Sequence, residues 1–114
     1  MPSHRIQQIN ELIRNELNKV ILKEAGLPPG YLATITKVKT SRDLSQSIIT
    51  ISILPTAKQG TILNLLNDQA KHLQYELGKN IILRKTPKLS FVIDEGQQKT
   101  THIDELIDKI HQEG

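Results

Sequence analysis

The fold is organised around TILNLLNDQAKHLQYELGKNIILRKTPK (residues 61–88), part of a longer stretch that runs from position 56 to 88. Its apolar side chains recur three or four positions apart, which places them on one face of a helix: Ile62, Leu66, Ala70, Leu73 and Leu77. Between positions 71 and 88, five lysines and arginines stand against one acid, Glu76, a net charge of +4. A helix with this charge pattern is suited to phosphate binding, although a charged helix face is often just solvated surface.

Length and composition indicate one globular domain. The chain has 114 residues, of which 37% are apolar and 24% charged, an ordinary balance for a soluble protein. We expect a single domain over residues 1–114, with a core at about 3–94 and a terminal helix at about 102–112. With Phe91, Tyr31 and Tyr75 as its aromatics, the core must be aliphatic, and a base-stacking surface is not expected.

Charge is distributed unevenly along the chain. Residues 1–93 contain thirteen basic and six acidic side chains (+7), whereas residues 94–114 contain two and six (−4). A basic body suits an anionic partner such as nucleic acid or anionic lipid. The alternative is a basic soluble protein without such a partner.

Several classes of protein are excluded or disfavoured by what the sequence lacks. The absence of cysteine excludes disulfides, thiolate catalysis and Cys-ligated zinc. No segment approaches the roughly 18 continuous apolar residues of a membrane span, and the N-terminus lacks an apolar run of signal-peptide length. We therefore expect a cytoplasmic protein that does not contact membranes.

The first half of the chain predicts a helix followed by a hairpin. An apolar stripe of helical period begins after Pro2 and ends before Gly26. Strands are predicted at 32–40 and 48–54 from their β-branched residues, with a β-bulge near Thr36–Lys37 where the alternation shifts by one residue.

The second half predicts a helix, a strand and a terminal helix. Thr56 followed by Gln59 has the spacing of a capping box, so a helix should start there and continue to about Leu77. Residues 81–85 are compatible with helix or strand, and residues 89–93 predict a third strand. Ile103, Leu106, Ile107 and Ile110 form the apolar stripe of the terminal helix. The predicted class is α+β, with the helices packed on one face of a three-stranded sheet.

No pattern of catalytic or metal-binding residues is evident. The four histidines have no i, i+4 pair among them and are more typical of surface residues than of ligands: His4, His72, His102 and His111. No nucleophile elbow, phosphate-binding loop or dinucleotide motif occurs. The GxxG loop of ordinary KH domains is also missing. We predict a non-enzyme with no catalytic residue, no metal site and no cofactor.

The order and spacing of several segments resemble bacterial ribosome-binding factor A. The matching segments are RIQQINELIRNEL (5–17), ATITKVKTSRDLSQSIITISIL (33–54), ELGKNIILRKTPKLSFVIDE (76–95) and IDELIDKI (103–110). The resemblance implies a KH-like fold of type II order, helix–strand–strand–helix–helix–strand. It also implies a non-catalytic assembly factor, a monomer when free, with no small-molecule substrate. Such a factor binds the small (30S) ribosomal subunit and its 16S rRNA in late maturation and 5′-end processing, with a role in cold adaptation.

In place of GxxG, this family has a helix kink marked by Ala or Ser, any residue, then Gly. The matching position here is Ala70-Lys71-His72, where His72 replaces the glycine, and Gly78 is the less favoured alternative. The basic pattern and the resemblance together predict an RNA-binding set of Arg42, Lys71, His72, Lys79, Arg84 and Lys85. Each lysine is equally compatible with solvated surface, and Arg42 with an ion pair to Asp43 or a local loop hydrogen bond.

Two other classes of function remain open on the sequence. One is a protein-interaction adaptor that uses its amphipathic helices and has incidental affinity for RNA. The other is a small hydrolase with an unrecognised acidic site among Asp94, Glu95, Asp104 and Glu105. Salt dependence of binding separates the first of these from an RNA-binding factor, because phosphate contacts weaken steeply as salt rises.

Overall fold

A computed structural model describes residues 4–95, and its elements follow the predicted order. They are α1 (His4–Glu24), β1 (Leu32–Thr40), β2 (Gln46–Leu54), a 3₁₀ turn (Thr56–Lys58), α2 (Gln59–Asp68), α3 (Ala70–Asn80) and β3 (Lys88–Ile93). The helix–strand–strand–helix–helix–strand prediction is thus confirmed. The predicted terminal helix at about 102–112 lies outside the described residues.

The three strands form one mixed sheet in the order β1-β2-β3. β1 and β2 pair antiparallel as the predicted hairpin, and β2 and β3 pair parallel. The register shifts between Ile35 and Lys37, which confirms the predicted bulge. The extra residue, Thr36, restores the alternation, so that Ile35 and Val38 both face the core opposite Ile51 and Ile49.

The helices pack on one face of this sheet. The predicted stripe is confirmed, because Ile62, Leu66, Leu73 and Leu77 are all buried, while Ala70 is partly buried. They form one cluster with the apolar stripe of α1 and with alternate residues of the strands: Ile9, Ile13, Leu17, Val20, Ile21, Ile49, Ile51, Ile53, Leu89 and Phe91. Within residues 4–95, no helix combines the length and apolar character needed to cross a membrane.

The start of the second helical region differs from the prediction. Thr56 lies inside a 3₁₀ turn whose N-cap is Pro55, and α2 begins at Gln59. Neither N-cap position, Pro55 or Lys58, makes a side-chain capping hydrogen bond. The predicted capping box was therefore wrong, because the N-cap position is taken by Pro55, whose side chain has no hydrogen-bond acceptor, and Thr56 lies inside the turn.

The sequence left open whether residues 81–85 form helix or strand, and the structure answers this question. Residues 81–87 form neither, and α3 continues through Gly78 to Asn80 without a break there. Ile81 and Pro87 are buried at the two ends of the segment, whereas Ile82 is fully exposed. The segment is thus an irregular connection anchored at both ends.

Asparagine side chains from the helices bond to the outer edges of the sheet. At the β3 edge, the Asn67 amide accepts from Phe91 N at 2.9 Å and donates to Phe91 O at 3.1 Å. At the β1 edge, Ile35 N donates to Asn18 Oδ1 at 3.2 Å, beside the bulge. These bonds pair backbone groups that a neighbouring strand would otherwise satisfy.

We expect Asn67→Ala to lower the free energy of unfolding by about 1–3 kcal/mol, because it leaves two part-buried backbone groups without partners. Asn64→Ala, at an exposed position of the same helix, is the matched control, since both changes gain the same helix propensity. Urea denaturation of both variants measures the difference. Equal losses in the two variants would mean that the Asn67 amide contributes nothing to stability.

Candidate nucleic-acid interface

The six predicted RNA-binding residues are all exposed, and the structure brings some of them together. Lys71 and Lys79 lie on α3 and line one open groove with Gln74, Tyr75, Gly78 and Thr86. Arg84 and Lys85 immediately precede Thr86 in the irregular segment. We call the groove and these two flanking residues the α3 groove.

The other two predicted residues lie outside the groove lining. Arg42 is in the β1–β2 loop, at the end of the sheet where β3 begins, since Lys88 N donates to Ser45 O at 3.0 Å. In that loop the Asp43 carboxylate accepts from Ser41 Oγ at 2.8 Å and from Ser45 Oγ at 2.7 Å. His72 lies near α1, with its Nε2 3.9 Å from Glu24 Oε2.

The α3 groove depends on a close approach between the helix and the irregular segment. Gln74 Nε2 donates to Thr86 O at 2.8 Å, and the adjacent Pro87 is fully buried. A Cβ added at Gly78 would lie 2.8 Å from Thr86 Oγ1, so glycine is what allows the segment to pass this close. The resulting groove has a volume of about 460 Å³.

We expect Gly78→Ala to destabilise the protein by about 1–3 kcal/mol, because the new methyl group collides with the Thr86 hydroxyl. In a Thr86→Ala background the same change should become neutral or stabilising, since alanine then contributes only its higher helix propensity. A double-mutant cycle in urea measures this coupling. Additive effects would show that the two residues do not constrain each other.

Tyr75 is the residue of the groove that the sequence analysis missed. Its side chain is 65% exposed, and Lys79 Nζ lies 4.7 Å from its ring centroid, within cation–π range. Tyr75 is thus one exposed ring on a chain whose few aromatic residues predict no base-stacking surface. The signal was available, because Lys71, Tyr75 and Lys79 are four residues apart and so share one helical face.

Lys79 is held in place by Glu76. The Lys79 ammonium donates to Glu76 Oε1 at 3.2 Å. This hydrogen bond, together with the carboxylate charge, raises the pKa of Lys79 above its ordinary value. The side chain is thus fully charged at neutral pH and oriented along the face that Tyr75 occupies.

A second polar cluster joins α3 to the end of α1. One ligand atom each from Glu24, His72 and Glu76 lies within 4.8 Å of the other two, a mixture of oxygen and nitrogen donors that divalent metals accept. Glu76 already accepts the Lys79 ammonium, and Gln69 Nε2 donates to Ala25 O at 2.8 Å beside the cluster. We interpret the cluster as a polar connection between the two helices. The i, i+4 spacing of His72 and Glu76 was the signal for it in the sequence.

The interruption between α2 and α3 lies at Gln69. This residue has φ −97° and ψ 8°, and its N–H is shared between Leu65 O at 3.2 Å and Leu66 O at 3.1 Å. Ala70 is the first residue of α3, and His72 lies in its first turn. Gln69 thus separates two helices, and the face of α3 that bears Lys71, Tyr75 and Lys79 is open to solvent.

Comparison with known proteins identifies the family. The family model of ribosome-binding factor A matches residues 5–107 of the chain. The chain belongs to the ribosome-binding factor A family. Among its relatives, the ribosome-binding factor A of Enterococcus faecalis is 37% identical over 120 aligned positions, covering 98% of each chain.

Solved structures of ribosome-binding factor A have the same fold. The crystal structure of the Thermus thermophilus protein aligns with a TM-score of 0.66 at 19% identity, over 77% of this chain and 93% of that one. A homology model of the Thermus thermophilus protein, fitted into the cryo-EM map of a 30S complex, aligns with a TM-score of 0.63 at 22% identity. That alignment covers 81% of this chain and 93% of the other.

Proposed function

We propose that this protein is an assembly factor of the small ribosomal subunit and that its α3 groove contacts 16S rRNA. The observation behind this proposal is the alignment of Lys71, Tyr75 and Lys79 on one exposed helix face. This face lines the groove together with Thr86, which follows Arg84 and Lys85 in the chain. The family supplies the partner, since a Thermus thermophilus relative has been fitted into a 30S complex.

The groove is suited to folded RNA. Lysine and arginine side chains neutralise phosphates and release counterions, which contributes affinity without selecting a sequence. Tyr75 supplies one ring on which an unpaired base of a loop or bulge can stack. Cationic groups around one stacking platform therefore favour a site where a single-stranded nucleotide emerges from an rRNA helix.

The proposal extends to the timing and the consequences of binding. We propose that the protein acts without catalysis, in the cytoplasm, on subunits late in maturation before the 5′ end of 16S rRNA is fully processed. We also propose that its absence is more harmful in the cold. As a free protein it is expected to be a monomer without cofactor.

Deletion of the gene tests these consequences. We expect 16S rRNA with an extended 5′ end to accumulate, and more of it at low temperature, with both effects reversed by a plasmid copy of the gene. Primer extension on total RNA measures the 5′ ends. Mature 5′ ends at both temperatures in the deleted strain would refute a role in processing.

An adaptor function is the second candidate, and exposed apolar residues favour it. Ile82 is fully exposed and Leu22 is 84% exposed, on the irregular segment and on α1 respectively. Apolar contacts are insensitive to moderate salt, whereas phosphate contacts are not. Two results together would favour the adaptor function over RNA binding. They are loss of subunit binding in the Ile82→Ser variant, and binding of the unmodified protein that does not change with salt.

A further inference from the structure

The sheet has a second face, turned away from the helices, which is distinct from the α3 groove. Its side chains are those of alternate strand positions: Leu32, Thr34, Lys37, Lys39, Gln46, Ile48, Thr50, Ser52, Leu54, Lys88, Ser90 and Val92. We call it the outer sheet face. Three of its residues are lysines, and none of the three described strands contains an aspartate or glutamate.

The middle of the outer sheet face is buried. Ile48 and Thr50 are only 3% and 4% exposed, yet Ile48 is outside the hydrophobic cluster that the helices form with the sheet. Their neighbours across the strands are Lys39 and Ser90 for Ile48, and Lys37 and Val92 for Thr50. Side chains on one face of a sheet project roughly perpendicular to it, so neighbouring side chains cover each other's flanks but not their outer ends. Burial this complete therefore indicates a further layer packed on the face.

An unsatisfied hydroxyl lies in the same place. Thr50 Oγ1 is buried and has no hydrogen-bond partner within residues 4–95. A buried hydroxyl without a partner is costly, and most such groups are paired in folded proteins. The missing partner is therefore expected to come from whatever covers the outer sheet face.

We propose that residues 96–114 of this same chain dock on the outer sheet face. The segment follows directly from β3, whose end is fixed by the hydrogen bond from Asp94 N to Ile51 O at 2.7 Å. Ile48 is three residues from Ile51 along β2, about 10 Å. Residues 96–101 can span about 20 Å when extended, which is ample to bring the following residues over Ile48 and Thr50.

The chemistry of the two surfaces is complementary. Residues 96–114 carry four acidic and two basic side chains, a net charge of −2, and the outer sheet face carries three lysines. The sequence of the segment also contains an apolar stripe that would contact Ile48 and Val92. Its residues are Ile103, Leu106, Ile107 and Ile110. RNA fits this face less well, because Phe91, the one aromatic of the described strands, is on the core side.

Paramagnetic NMR on the full chain tests the docking. The chain has no cysteine, so Gln112→Cys provides one attachment site for a nitroxide label. We expect the label to broaden the amide signals of Ile48, Thr50 and Val92 more than those of Glu11 and Asn15, which are exposed on α1. Uniform broadening, or broadening concentrated on α3, would overturn the proposal.

Charge reversal in the labelled protein tests the complementarity. Lys37→Glu with Lys39→Glu should reduce the broadening, and adding Asp104→Lys with Asp108→Lys should restore it. Lys23→Glu with Lys58→Glu, at exposed positions away from the sheet, should leave it unchanged. Loss of broadening in this control pair, or no change in the first pair, would contradict the proposed contact.

A mixed sample separates the chain's own segment from a second copy. Spin-labelled chains without isotope are mixed with isotope-labelled chains without the spin label. If the segment docks within its own chain, the isotope-labelled signals keep their intensity. Broadening of Ile48 and Thr50 in the mixture would instead assign the outer sheet face to contacts between copies and refute docking within the chain.

Discussion

Leu66→Ala and Leu73→Ala, made singly, are each expected to lower the free energy of unfolding by about 2–5 kcal/mol. Both side chains are completely buried, one on α2 and one on α3, and both belong to the cluster that attaches these helices to the sheet. Each substitution removes apolar contacts and leaves a cavity between rigid elements that cannot collapse to fill it. Equilibrium urea denaturation measures the loss.

Leu22→Ala is the matched control for these two variants. It makes the same chemical change on a helix, but at a side chain that is 84% exposed, so its effect should stay within about 0.5 kcal/mol. Losses below about 0.5 kcal/mol at both Leu66 and Leu73 would mean that a different face of α2 and α3 is buried.

Replacing Lys71, Lys79 and Lys85 together by glutamate is expected to weaken binding to 30S subunits by at least about tenfold, with the fold intact. Each lysine that contacts a phosphate contributes nearly one unit to the salt dependence of binding. The plot of log affinity against log salt should therefore become shallower by about 3 in the triple variant. Co-sedimentation at several salt concentrations gives both quantities.

Lys19→Glu, Lys23→Glu and Lys58→Glu together form the control for the triple variant. These lysines are exposed, and the formal charge changes by the same amount. The match extends to local contacts, because Lys19 pairs with Glu16 at 3.4 Å as Lys79 pairs with Glu76 at 3.2 Å. Equal weakening by both sets would show that net charge, not the α3 groove, determines binding.

The fold was predictable because hydrophobic periodicity reports directly on which side of each element is buried. The stripe of Ile62, Leu66, Leu73 and Leu77 and the bulge beside Thr36 both appear in the structure as the sequence predicted. The capping prediction at Thr56 failed because the same local spacing is compatible with a 3₁₀ turn, in which Pro55 is the N-cap residue. Asn67 gave no signal at all, since its partner at Phe91 is remote in sequence.

The candidate site was predictable in its charges but not in its shape. Lysines are visible in a sequence, whereas the path of residues 81–87 depends on the close approach of Thr86 to Gly78 and on the burial of Pro87. Arg84 and Lys85 lie on that path just before Thr86, which lines the groove with Tyr75. A count of aromatic residues undervalued Tyr75, because one exposed ring between two lysines is enough for a stacking contact.

Co-sedimentation of the unmodified protein with purified 30S subunits over a salt series tests the central claim most directly. We predict binding at low salt that declines linearly on a plot of log affinity against log salt, because several phosphate contacts contribute to it. Absence of binding at low salt, or binding whose strength does not change with salt, would contradict the proposal that the α3 groove contacts 16S rRNA.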